Sequence, residues 1–197
     1  MAVREILIYP QHDAELRRKS EPVKKVKQTV HRLIRDLKDT LQASSDGIGL
    51  AAPQINIHQR VVIVCTGNEM DGEWQAGPPV ALINPKIAKA GDERKDFDGC
   101  LSFPGLYGET IRPHHLRVTG LDEEGRPFDQ VFDGFNAVLV HHEIDHLEGI
   151  LFIDRVEKLE DLYRLSVNVN GEPVRLQVSG DLKPGDSQKK TVKEVAG

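Results

Sequence analysis

The sequence predicts an α+β domain, and three observations predict it. A long amphipathic helical period lies near the N-terminus, a second helical stretch lies near residue 140, and short apolar runs broken by Gly, Pro and Asp lie between and around them. The chain has 197 residues, 39% of them hydrophobic, which is enough to bury one sizeable core and too many for a disordered segment. One domain over residues 1–180 is therefore expected. Residues 181–197, with Pro184, Gly185 and Lys189-Lys190, read as a flexible tail.

The elements follow in order. Val23, Val26, Val30, Leu33, Ile34, Leu37 and Leu41 recur at three- and four-residue intervals, which predicts a helix that starts after Pro22, frays at Ala43-Ser44-Ser45 and covers the sheet. Strands are expected at 61–65, 80–84 and 116–121, with loops over 71–79 and 91–99. A second helix spans 134–147, and a short helical segment follows over 156–165. Residues 166–178 then alternate around Asn170-Gly171, a hairpin signal in which Val167, Val169, Val174, Leu176 and Val178 suit one buried face.

Composition narrows the function classes. A net charge of −5 argues against a broad basic surface, so no DNA partner is expected and any ribosome contact is a local one. Cys65 and Cys100 lie too far apart in sequence to suggest a disulfide framework. Neither a membrane span nor a signal-peptide core is visible, so a cytoplasmic, monomeric protein is the expectation.

The chemistry lies in His142-Glu143-Ile144-Asp145-His146. On a helix, residues four apart lie about 40° apart around the axis, so both imidazoles can grip one metal ion from the same side. Glu143 is then placed to take a proton from a water that the metal activates during hydrolysis of a carbonyl compound. Two histidines leave the site short of a third protein ligand. The extended protease pattern supplies Gly149 but then reaches Phe152, which cannot bind metal. Glu157, Glu160 and Glu172 remain open as zincin-type ligands. Cys100, in Asp98-Gly99-Cys100-Leu101-Ser102-Phe103-Pro104, is the stronger candidate, while Cys65 reads as strand packing.

A third motif is Gly47-Ile48-Gly49-Leu50-Ala51-Ala52-Pro53-Gln54. In order and spacing, the segments 47–54, 98–104 and 142–149 closely resemble the peptide deformylases. The resemblance runs from Ile6-Leu7-Ile8-Tyr9-Pro10 through Leu82-Ile83-Asn84-Pro85 to about residue 154. It implies a deformylase-like fold, with small antiparallel or mixed sheets around a central helix carrying the H-E-x-x-H motif. It also implies the activity, hydrolysis of the N-formyl group from N-formylmethionyl nascent polypeptides with release of formate.

The site residues carry over one by one. Cys100, His142 and His146 are implied as metal ligands, with Fe²⁺ the native ion and Zn²⁺, Ni²⁺ or Co²⁺ acceptable to the same donors. Glu143 is implied as general base and then general acid, and Gln54 with the Leu101 backbone N–H as oxyanion donors. Ile48, Val138 and Leu139 are expected around the methionine side chain. Gly49 and Gly99 are expected to let the substrate backbone approach like an added strand.

Two positions depart from the family, which usually has Glu at Asp98 and Gln at His141. A carboxylate one methylene shorter predicts a stretched or water-bridged bond to the ligand behind it. Arg112 matches a family arginine, with Asp145 its expected partner and Asp98 the second choice. No role is expected for His12, His31, His58, His114 or His115. Two other readings stand beside the main one: a zincin-type metallopeptidase, and a deformylase-like protein that binds blocked peptides with weak turnover.

Overall fold

In the computed structural model, whose description covers residues 2–44, 47–167 and 173–178, the run Val61-Val62-Ile63-Val64 lies at the centre. All four side chains are buried and point alternately to opposite faces. Val61 and Ile63 pack with Leu33, Ile34, Leu37 and Leu41 of one helix, while Val62 and Val64 pack with Leu139, Val140, Ile144 and Leu147 of another. A strand sandwiched in this way has no solvent face, so its sequence is an unbroken apolar run.

In chain order the elements are α1 (Asp13–Leu16), α2 (Gln28–Ala43), β1 (Gly49–Ala51), β2 (Val61–Val64), β3 (Gly67–Met70), β4 (Glu73–Ala76), β5 (Val80–Gly99), β6 (Leu106–Leu121), β7 (Pro127–Asp133), α3 (Phe135–Glu148), β8 (Leu162–Val167) and β9 (Pro173–Gln177). Seven strands form one antiparallel sheet in the order β1-β2-β5-β6-β8-β9, with β7 paired to β6 as well. Strands β3 and β4 pair on their own. The α+β class holds, with α3 central.

Several boundaries differ from expectation. Helix α2 begins at Gln28, because Asn84 holds Val23 extended: its Oδ1 accepts the Val23 N–H at 2.8 Å and its Nδ2 donates to the Val23 carbonyl at 2.9 Å. The expected loop over 91–99 is the outer part of β5, paired with β6 from Gly91–His115 to Gly99–Tyr107. Its run of charges reflects a hairpin arm largely wetted on both faces. Residues 71–79 hold β4 and the Asp71-Gly72 turn, both of whose residues have positive φ (55° and 80°), as a tight hairpin requires. Strand β7 was not anticipated.

The expected helix over 156–165 is instead a 3-10 turn, Leu159–Asp161, followed by β8, whose Leu162 and Tyr163 are buried. Strands β8 and β9 do pair, from Tyr163–Gln177 to Val167–Pro173. The turn at 168–172, with Asn170-Gly171, and the tail over 181–197 lie outside the described residues. The uniformly buried apolar face fails at Leu176, which is 52% exposed. On the other face Arg175 stacks over the Tyr163 ring at 4.2 Å; on the face of Leu176, Val178 packs on the cluster that contains Leu162.

Helix α3 ends at Gly149 (φ 74°), where a Cβ would overlap the Arg17 carbonyl. This glycine is a helix stop, not part of a longer ligand pattern.

Candidate metal centre

Eleven of the fourteen residues of α3 are buried, including His142, Glu143 and His146. Cys100 follows the last residue of β5, on the turn into β6. The Cys100 Sγ lies 3.3 Å from His146 Nε2, which lies 3.2 Å from His142 Nε2. All three ligand atoms fall within 4.8 Å of one another. Tetrahedral bonds of about 2.0 Å to nitrogen and about 2.3 Å to sulfur would set ligand atoms ~3.3–3.5 Å apart. The donors therefore fit one metal ion with little adjustment. Among the described residues no other such cluster occurs, and Glu157 and Glu160 are exposed, which removes them as third ligands; Glu172 is outside the described residues.

Behind the histidines lies a buried charge network. Asp98 Oδ1 accepts from His142 Nδ1 at 2.7 Å, which turns Nε2 toward the cysteine. Its Oδ2 accepts from Arg112 Nε at 2.7 Å and from Thr110 Oγ1 at 3.0 Å. Burial alone would raise the Asp98 carboxyl, but Arg112 and His142 hold it well below the usual carboxylate range. The shorter side chain thus makes direct bonds, and the expectation of a stretched or bridged contact is overturned: β5 sits close enough to α3 for an aspartate. Arg112, wholly buried, pairs with both proposed carboxylates, its NH1 donating to Asp145 Oδ2 at 2.7 Å. The same NH1 donates to His141 Nδ1 at 2.7 Å, and burial lowers His141 to a pKa of about 4, so its ring is a neutral acceptor. Arg155 grips Asp145 from the other side.

Glu143 is buried beside the ligands, its Oε2 without a hydrogen-bond partner among the described residues, and burial pushes its carboxyl up to about 7. A carboxyl near neutrality can both take and return a proton. Gln54 is anchored by its Oε1, which accepts the Ala51 N–H at 2.8 Å; its Nε2 points at Ser102 Oγ (3.1 Å) and Cys100 Sγ (3.5 Å).

A cavity of about 330 Å³ opens onto this group, lined by Ile48, Gly49, Gln54, Gly99, Cys100, Leu101, Val138, Leu139, His142 and Glu143. Each proposed catalytic and substrate-contacting residue thus lies on one wall or another.

The amino-acid pattern of the polypeptide deformylase family matches residues 3–161. The peptide deformylase of Thermomicrobium roseum is 43% identical over 157 residues, which cover 80% of this chain and 88% of that protein. The chain belongs to the peptide deformylase family. Solved deformylases share its fold: that of Ehrlichia chaffeensis superposes with a TM-score of 0.72 at 34% identity, covering 80% of this chain and 89% of the other. A Met-Ala-Ser-bound deformylase of Acinetobacter baumannii superposes with a TM-score of 0.71 at 30% identity, covering 79% and 99%. As a deformylase, the enzyme removes the N-formyl group from the N-terminal methionine of nascent polypeptides. The family is metal-dependent, in keeping with the three converging donors.

Within this deformylase two glycines meet a constraint beside the expected one. A Cβ on Gly49 would overlap Glu143 Oε1 and lie 2.8 Å from its Cδ, so the glycine makes room for the carboxylate rather than for substrate alone. A Cβ on Gly99 would come within 2.9 Å of the Tyr107 ring. The sequence reading also missed the aromatic part of the wall. Phe97 (42% exposed) stacks on Tyr107 at 5.5 Å, and Phe135 is held by an edge contact with Trp74 at 5.0 Å. Phe97 and Gly99 are two apart on one strand, so period-2 spacing from the motif glycine was the available signal. Cys65 is packed in the core beside β2 and stands outside the metal cluster, and Phe152 is a core residue edge-on to Phe103.

Proposed function

We propose that Cys100, His142 and His146 hold one divalent metal, Fe²⁺ natively, and that Glu143, Gln54 and the Leu101 N–H carry the deformylation around it. The observation that carries this reading is the meeting of one thiolate and two imidazole nitrogens at metal-ligand spacing beside a buried, unpartnered carboxyl. When bound, the metal supplies a Lewis acid for the formyl carbonyl and lowers the pKa of water.

The remaining work falls to the chain. Ile48, Val138 and Leu139 supply the apolar wall for the methionine side chain, which fixes the formyl carbon beside Glu143. The peptide bound in the Acinetobacter baumannii deformylase, Met-Ala-Ser, is of the kind placed here. Glu143 Oε2 accepts the proton of the attacking water and delivers it to the departing amine. Gln54 Nε2 and the Leu101 N–H donate to the developing oxyanion, Gln54 already locked by its bond to Ala51. Asp98 and Arg112 keep His142 turned. The same donors accept Zn²⁺, Ni²⁺ or Co²⁺. A cytoplasmic location goes with this reading, since the substrate is a nascent chain; no described helix is long and apolar enough to cross a membrane.

The test is formate release from a formyl-Met peptide by Fe²⁺-loaded protein, with casein cleavage followed in parallel. Formate release without casein cleavage is expected. Casein cleavage without formate would overturn the reading.

A further inference from the structure

The chain is acidic overall, yet eight of the nineteen residues 17–35 are Lys or Arg, against one acid, Glu21. Five of these cations, Lys24, Lys25, Lys27, Arg32 and Arg35, are exposed and gather around the start of α2. Lys27 to Arg35 spans about 12 Å of helix, and Arg32 and Arg35 share its solvent face. None of the five forms an ion pair with a described residue. The neighbouring acids are mostly taken: Asp36 by Arg4, Glu123 by Lys38, and Asp122 and Glu124 by Arg126. Glu5, Glu21 and Asp39 form no ion pair among the described residues.

The arrangement runs against local stability. The N-terminus of a helix favours anions, yet the first turn of α2 contains no acid and its cap residue is a lysine without a capping bond. Like charges crowd where the helix dipole also repels them, the kind of broken local rule that marks a binding surface. The other end of α2 adjoins the pocket, since a Cβ on Gly47 would touch Leu41. From about 9 Å of helix at Arg35 to about 21 Å at Lys27 therefore separates the cations from the pocket mouth, and a partner held at the start of the helix leaves the pocket open.

We propose that this basic surface docks the enzyme onto RNA through its phosphates. Clustered, unpaired, solvent-facing cations are complementary to a polyanion, and phosphate contacts need no further shape. The choice of RNA rests on the deformylase reading, because nascent chains are presented on a ribonucleoprotein surface. Each phosphate contact to a single strand contributes about 0.7 to the slope of log affinity against log salt, so five contacts predict a slope near about −3.5.

The experiment measures fluorescence anisotropy of a fluorescein-labelled single-stranded RNA of about twenty nucleotides, titrated with the metal-loaded enzyme at several salt concentrations. The K24A/K25A/K27A/R32A/R35A variant is expected to lose at least about tenfold in affinity at low salt and most of the salt slope. K24A/K25A should lose more than K86A/K89A, a pair of exposed lysines on β5. Melting curves and formate release from a soluble formyl-Met peptide, both expected to stay at parent values, show that the variants fold. Equal RNA affinity in the five-cation variant and the parent overturns the proposal, as does equal loss in K24A/K25A and K86A/K89A. Cation-dependent binding to phosphatidylglycerol vesicles without RNA binding overturns it in favour of a membrane surface. Failure of the deformylase reading would show separately, as absent formate release in the parent.

Discussion

Replacing Asp98 by glutamate is expected to loosen the metal centre, although glutamate is the residue that deformylases usually carry at this position. Judged by side-chain length alone, the longer carboxylate should reach its partners better. The packing says the reverse. Both Asp98 oxygens already sit at 2.7–3.0 Å from His142 Nδ1, Arg112 Nε and Thr110 Oγ1, and the residue is 5% exposed among partners that are themselves buried. An added methylene must push His142 or Arg112 away, an overpacking cost of about 1–3 kcal/mol. A misdirected His142 typically costs ~10–100-fold in metal affinity, or about 1.4–2.8 kcal/mol, so the two approaches agree. The assay is loss of Zn²⁺ from the reconstituted enzyme to a chelator, with the melting temperature measured on the same samples. Faster loss by roughly an order of magnitude or more and a lowered melting temperature are expected. Metal retained as long as in the parent, with an unchanged melting temperature, would refute the packing argument. In D98E/H141Q, recovery of the parent rate would show that His141 and the short carboxylate are adapted to each other through Arg112.

Cys100→Ala should purify with far less metal than Cys65→Ala, because only the first removes one of three donors; equal metal content in both would take Cys100 out of the site. Glu143→Ala should keep its metal but lose formate release by a factor on the order of 10² or more, and near-parent turnover would assign the proton to another group. Gly49→Ala should likewise keep its metal and lose turnover, since the new methyl displaces the Glu143 carboxylate; full activity would show that the carboxylate has room to move. Ending the chain after residue 180 should leave formate release unchanged. Ending it after residue 161 removes buried Leu162 and Tyr163, at about 1.5–3 kcal/mol each, so calorimetry should find a melting temperature lower on the order of 10 °C.

How much of this was legible in the sequence depends on how far apart the interacting residues lie. The two histidines and Glu143 were legible because a helix converts a spacing of four into one face, and that conversion needs no tertiary information. Cys100 was a candidate on its flanking residues but gained its role only through the family resemblance, because its approach to α3 is set by where β5 ends. The outer arms of β5 and β6 were missed for a related reason. A strand pair largely wetted on both faces loses the apolar alternation that signals a strand, and Asp92-Glu93-Arg94-Lys95-Asp96 reads like any charged loop.

The misjudged details are those in which covalent length or local composition stood in for position. Asp98 seemed too short because the family residue is longer, yet the gap a side chain must cross is fixed by the distance between β5 and α3. A second demand on Gly49 went unseen beside substrate approach, since the carboxylate that needs its missing Cβ lies ninety-four positions away along the chain. Net charge misleads in the same manner. A sum over 197 residues near −5 argued against a broad basic surface and left only a local contact open, and it could not say where, because electrostatic attraction decays over about 10 Å in 0.1 M salt. What a phosphate would meet at the start of α2 is a cluster of five cations, and the acids beside them, Asp36, Glu123 and Asp122, are paired with cations of their own.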